Sequence, residues 1–338
     1  MRPVHRKVFW AGIVVGLVIA LVPSAALAVF SAAPAVTAGV TAATISAPGG
    51  FTATAASTTT VNLSWTAPPA LTGYTLSQSA GTLAGCSATP SGTSCTATGL
   101  TSHTAYTWTL KAAYNNWLSS SVQASATTMS TVGFTLVGKA TDGTGGTSSS
   151  TATGVTTISG AGLLVLVFRQ GSSDVGITSV SGSAISGTAT AITSQAPTNS
   201  NFEVAAYYAT GTGKSNGTAT VSFSASNNVS TSIDVVQLSG DNTASPIVQS
   251  AVSASSSSGA TVTGGALSGA SASDGELFFA VLTTTTSMST PTGYTVLDVP
   301  ASTVHGVWDS SSASAAGITT SLGGSSYWGT IEIEISHG

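Results

Sequence analysis

Apolar and polar positions alternate over short stretches of this chain. In VNLSW, Val61, Leu63 and Trp65 alternate with Asn62 and Ser64, so the three apolar side chains share one face of a strand. Pro68 and Pro69 end that strand, because proline donates nothing to a ladder. Tyr74 and Leu76 sit two apart on the next run, and Tyr106, Trp108, Leu110 and Ala112 repeat the alternation. Between Gly50 and Thr128 the runs FTATAA, TTTVNLSWT, GYTLSQ, TSCTATGL, AYTWTLKAAY and SSSVQASATT are separated by turn signals. That spacing predicts a β-sandwich with Trp65 in its core.

The same residues carry a family resemblance. Leu100, Thr104, Tyr106, Trp108, Leu110 and Ala112 in GLTSHTAYTWTLKA resemble the fibronectin type III pattern of a leucine followed by a tyrosine-corner strand ending in alanine. Trp65 on the second strand, Tyr74 on the third and the exit ASATT match it too. The resemblance covers residues 48–128. Ser102 and His103 stand where the family usually has Pro-Gly, and the pair Cys86 and Cys95 is not a general feature of it. It implies a module for spacing or protein contact more than for catalysis. Modules of this type behind an export signal resemble those of actinobacterial surface proteins.

Residues 131–338 show a weak internal repeat. GLLVLVF (Gly162 to Phe168) parallels GELFFAVL (Gly275 to Leu282), each an apolar run long enough for a doubly buried strand. FEVAAYYATGTG parallels VHGVWDSSSASAAG, and SIDVVQLS parallels TIEIEIS. The expectation is an all-β chain whose larger part is a jelly-roll-like sandwich of two similar halves, with two small domains as the alternative. Its likeness to Gly/Ser/Thr-rich bacterial and phage surface sandwiches is one of composition.

Composition agrees. Of 338 residues only 5% are charged while 42% are hydrophobic, so the chain is not of the disordered type, and hydroxyls replace charges on its surface. Three of the seven basic residues, Arg2, Arg6 and Lys7, lie at the extreme N-terminus. The remaining four face eleven acidic residues, which argues against nucleic acid as a partner. Residues 1–28 read as a signal peptide: MRPVHRK is the basic region, VFWAGIVVGLVIALV the apolar core and ALA (Ala26 to Ala28) the cleavage site. An uncleaved anchor is the alternative, and the only membrane contact expected. Residues 29–47 read as a linker. The rest is expected outside the cytoplasm, at the cell surface or secreted, where Cys86 and Cys95 would form a disulfide.

Chemistry is sparse. No Asp or Glu precedes Asp142, so the first module has no carboxylate pair. Glu332 and Glu334 alternate with Ile331, Ile333 and Ile335 and read as the wet side of a final strand. No spacing unites Glu203, Glu276, Asp298 and Asp309, and His103, His305 and His337 are far apart. DGTGG at Asp142 and GDNTASP at Gly240 offer loop oxygens for calcium but lack the density of an EF-hand; no other cofactor or metal is expected. There is no GxSxG, HExxH or P-loop. Three N-x-[ST] sequons, at Asn62, Asn216 and Asn228, carry no weight in so Ser/Thr-rich a chain.

Aromatic rings are the better lead, because sugars stack on Trp and Tyr faces. Candidate ligand-binding residues are Trp117, Tyr207, Trp308, Tyr327 and Trp328. The reading is an exported, non-catalytic protein whose C-terminal sandwich binds a polysaccharide, with the first module as spacer. Two alternatives stand beside it: a structural component contacting cell-envelope proteins, and a secreted glycoside hydrolase.

Overall fold

The computed structural model describes residues 44–69, 71–142, 147–171, 176–195, 202–226, 228–299 and 303–338. The signal segment 1–28 and the linker up to residue 43 lie outside them. Among the described residues every regular element is a β-strand.

The first module contains β1 (Gly49–Ala55), β2 (Val61–Thr66), β3 (Gly73–Gln78), β4 (Ser94–Ala97), β5 (Ala105–Tyr114), β6 (Trp117–Leu118) and β7 (Val122–Thr127). One sheet runs β1-β2-β4; in the other β3, β6 and β7 all pair with β5. The alternating residues meet between the sheets, and Trp65 lies edge-on to both Phe51 and Tyr74. The Thr101 N–H donates to the Tyr106 hydroxyl at 3.0 Å, which closes the tyrosine corner. His103 takes φ +50°, so it adopts the left-handed backbone that a glycine adopts more easily. Cys86 and Cys95 form a disulfide that ties a loop to β4.

The rest of the chain is two halves with one topology. The first half contains β8 (Gly133–Asp142), β9 (Ser149–Val155), β10 (Gly162–Gly171), β11 (Ile177–Ser181), β12 (Thr190–Gln195), β13 (Phe202–Thr210), β14 (Gly217–Phe223) and β15 (Asn228–Ser239). The second contains β16 (Ile247–Ala254), β17 (Gly259–Thr263), β18 (Gly275–Thr286), β19 (Thr295–Asp298), β20 (Thr303–Ser310), β21 (Thr319–Ser326) and β22 (Trp328–Ile335). The large sheets run β12-β13-β10-β15-β8 and β19-β20-β18-β22-β16, the same order. The small sheets are β11-β14-β9 and β17-β21. Where β11 would recur, the second half has an isolated bridge between Met288 and Leu322.

The two similar halves read from the sequence are present, but they do not combine into one jelly-roll-like sandwich as expected: each is a complete sandwich with its own core, because each half supplies both a large and a small sheet. A third core lies between the two large sheets, where Leu164, Leu166 and Phe168 meet Leu277, Phe279, Ile331 and Ile333. The stack has four layers, small sheet, large sheet, large sheet, small sheet. Both faces of each large sheet are covered, which is why β10 and β18 carry long apolar runs and why β22 is buried at every position although Glu alternates with Ile along it.

Candidate functional site

The β5–β6 hairpin turns at Asn115 and Asn116, and Asn115 takes φ +53°, a conformation asparagine tolerates. The ladder pairs Tyr114 with Trp117 and Ala113 with Leu118. At so short a tip no second sheet covers either face. Tyr114, Trp117 and Leu118 are accordingly 44%, 40% and 47% exposed. The Asn115 N–H donates to the Thr72 hydroxyl at 2.9 Å, and that hydroxyl donates to the Ala113 carbonyl at 3.2 Å, so the tip is pinned to the neighbouring loop. Beside it runs a groove of about 550 Å³, lined by Leu71, Thr72, Pro90, Asn115, Asn116 and Leu118 among others. Apolar rings next to hydroxyl and amide groups form a surface suited to stacking and hydrogen-bonding a sugar.

The other candidate residues lie in the tandem region. Trp308 is fully buried and stacks on Phe278 at 5.4 Å. Trp328 is also buried, in the same core of the second half. Tyr207 is half-buried against the core of the first half, and Tyr327 against the core between the halves. A ring inside a core offers no face to a ligand, so of the five residues Trp117 presents the most accessible ring. Tyr208, absent from the sequence-based set, lines a groove of about 400 Å³ between β12–β13 and residues 245–250.

The acidic residues are placed differently from the sequence reading. Glu332 and Glu334 are buried, not wet, because β17, β21 and the loops beside them cover that face of β22. Glu276 is buried on the same face, directly opposite Glu334. Backbone N–H groups answer them: Ile318 donates to Glu332 at 3.1 Å, Ser271 to Glu334 at 2.7 Å and Ser314 to Glu276 at 2.9 Å. Burial nevertheless pushes the Glu332 carboxyl up to about 8, against the Ile318 N–H and with help from Glu276. Burial raises Glu276 as well, and both burial and Glu276 raise Tyr294.

Two residues the sequence reading left apart, Asp298 and His305, come together at the core between the halves, joined by Asp234 and Lys139. A charge set inside an apolar strand, as in SIDVVQLS and VHGVW, was the available signal. Glu203 instead pairs with buried Arg169 across β10 and β13. His103 meets the Ser130 hydroxyl, and His337 meets Asp274. Of the calcium loops, residues 143–146 lie outside the described residues, and in the other the Asn242 side chain closes its own turn by accepting from Ala244.

The fibronectin type III domain model matches residues 46–127. No curated protein matches the chain. Among solved structures, the FN3tt crystal structure is 24% identical over 24% of this chain and 91% of its own, with a TM-score of 0.22. The chitinase ChiA74 from Bacillus thuringiensis is 17% identical over 54% of this chain and 26% of its own, with a TM-score of 0.21. With its sheet pairing, its tyrosine corner and this match together, the segment 46–127 is a fibronectin type III domain.

Proposed function

We propose that this multidomain protein is exported, non-catalytic and binds a polysaccharide at the cell surface or outside the cell. The observation that carries the reading is the exposed trio Tyr114, Trp117 and Leu118 at a pinned hairpin tip beside a groove. The fibronectin type III domain and its disulfide fit a secreted or surface protein. The ligand surface moves from the C-terminal sandwich to the first domain, because Trp308 and Trp328 are packed inside. Burial of Glu276, Glu332 and Glu334 supports the non-catalytic part, since a hydrolase needs its carboxylates open to substrate and water.

The test is retention of the full chain on insoluble polysaccharides and cell-wall material, beside Trp117→Ala. Wild type is expected to be retained, and the variant to bind about tenfold or more weakly, a change of ~1.4 kcal/mol. The variant should fold normally, because a surface ring costs at most about 0.5 kcal/mol. Failure of the wild type to be retained on any of these materials ends the polysaccharide reading. Equal retention of both places the ligand elsewhere on the molecule.

A further inference from the structure

We propose that Asp234, Asp298 and His305 form a site for one divalent transition-metal ion, zinc in the first instance, that staples the two halves of the tandem region together. Asp234 comes from β15 of the first half; Asp298 ends β19 and His305 lies on β20 of the second. All three are buried, 1%, 8% and 3% exposed, in the seam between the large sheets. One donor atom from each lies within 4.8 Å of the others.

The distances favour a shared ion over a simple ion pair. His305 Nε2 stands 3.4 Å from Asp234 Oδ2 and 3.5 Å from Asp298 Oδ2. A charge-assisted N–H···O bond would close to about 2.7–2.9 Å. Bonds of about 2.0–2.1 Å to a tetrahedral ion instead hold neighbouring ligand atoms about 3.3–3.4 Å apart. Asp234 Oδ2 makes no hydrogen bond of normal geometry, and its carboxyl lies beside that of Asp298 as well as His305, so two acidic groups share one buried seam where a cation would stabilise both. Lys139, opposite Asp234 in the ladder, holds the other oxygen of Asp298, Oδ1, at 3.0 Å. Its half-exposed side chain therefore acts from outside and leaves Oδ2 facing inward, the place of an outer-shell partner.

The donor set selects the ion. One imidazole and two carboxylates suit zinc, with a fourth position for water. Calcium and magnesium favour all-oxygen surroundings. A metal here would join strands that no backbone ladder connects, since the two large sheets are separate.

The experiment uses the full, tag-free chain, stripped with chelator and desalted. Zn2+ or Co2+ is added, excess is removed, and bound metal is measured by elemental analysis. The expected results are one ion per chain, visible Co2+ bands of a four-coordinate site, and a higher melting temperature that chelator reverses. Asp234→Asn and His305→Gln should each weaken binding by more than the 10–100-fold that an outer partner is worth, whereas Lys139→Met should stay within that range. The Co2+ spectrum of the wild type stands even if a variant fails to fold. A wild type that retains no ion and shows no Co2+ band overturns the site, leaving an ion-pair cluster. Binding unchanged in two folded ligand variants overturns it equally.

Discussion

The two halves of the tandem region share a topology but fill their private cores differently. Ladder partners equate Leu163, Val165 and Val235 of the first half with Glu276, Phe278 and Glu332 of the second. The first core is mainly aliphatic, with Phe223 as its buried ring among the described residues, and is closed by a three-stranded sheet. The second is closed by two strands, and takes Trp308 where the first has Tyr207. Next to these rings the first half has Ala205 and the second Gly306, where a Cβ would lie 2.3 Å from the Trp308 indole. The strand order thus survives a change from aliphatic packing to aromatic stacking with buried carboxylates. Ladder register fixes the fold, and the contents of each core are set locally.

The largest test of that difference is Trp308→Ala. Its ring is fully buried, so the loss should cost about 3–5 kcal/mol in denaturant unfolding followed by circular dichroism. Tyr207→Ala, at the equivalent but half-buried position, should cost under about 2 kcal/mol. Equal losses would break the contrast between the cores. Gly264→Ala comes next, at about 2–3 kcal/mol. A Cβ there would lie 1.6 Å from Glu332 Oε1 and 2.7 Å from its Cδ, and that same oxygen accepts from the Ile318 N–H, which ties it in place. Recovery of the lost stability in Gly264→Ala/Glu332→Val, which restores the first half's residue, would identify the carboxylate as the obstacle.

The fibronectin type III strands were legible because one face of each is core and turns separate them. In Val61–Thr66, buried and exposed residues alternate at every position. The repeat was legible because β10 and β18 are covered on both faces and so run apolar. Glu332 and Glu334 misled because alternation reports that two faces of a strand differ, not that one is wet. Here the polar face lies under β17 and β21, a second sheet that the alternation within β22 does not report. The rings of Trp308 and Trp328 went inside for the same reason. Trp117 follows YNN, and the structure makes those asparagines the tip of the β5–β6 hairpin, where its ring stays exposed. The cluster of Asp234, Asp298 and His305 has no local spacing at all; it exists because the two halves pack face to face.

The smallest effect is the most diagnostic, because it has a sign. Burial raises the Glu332 carboxyl from its ordinary 4.5 to about 8, so between those values the folded state holds a proton that the unfolded chain releases. Stability therefore falls as pH rises through this window, and the cost is absent below 4.5 and complete above 8. Glu332→Gln keeps an oxygen for the Ile318 N–H and removes the charge. It should leave the melting temperature nearly unchanged at pH 4 and raise it at pH 9, by an amount corresponding to about 1–2 kcal/mol after relaxation around the carboxylate. Chelator in every sample keeps metal out of the comparison. A variant that melts in parallel with wild type across this range would mean that Glu332 ionises in the fold as it does in water. The second half would then tolerate a buried charge as easily as the first half holds Val235.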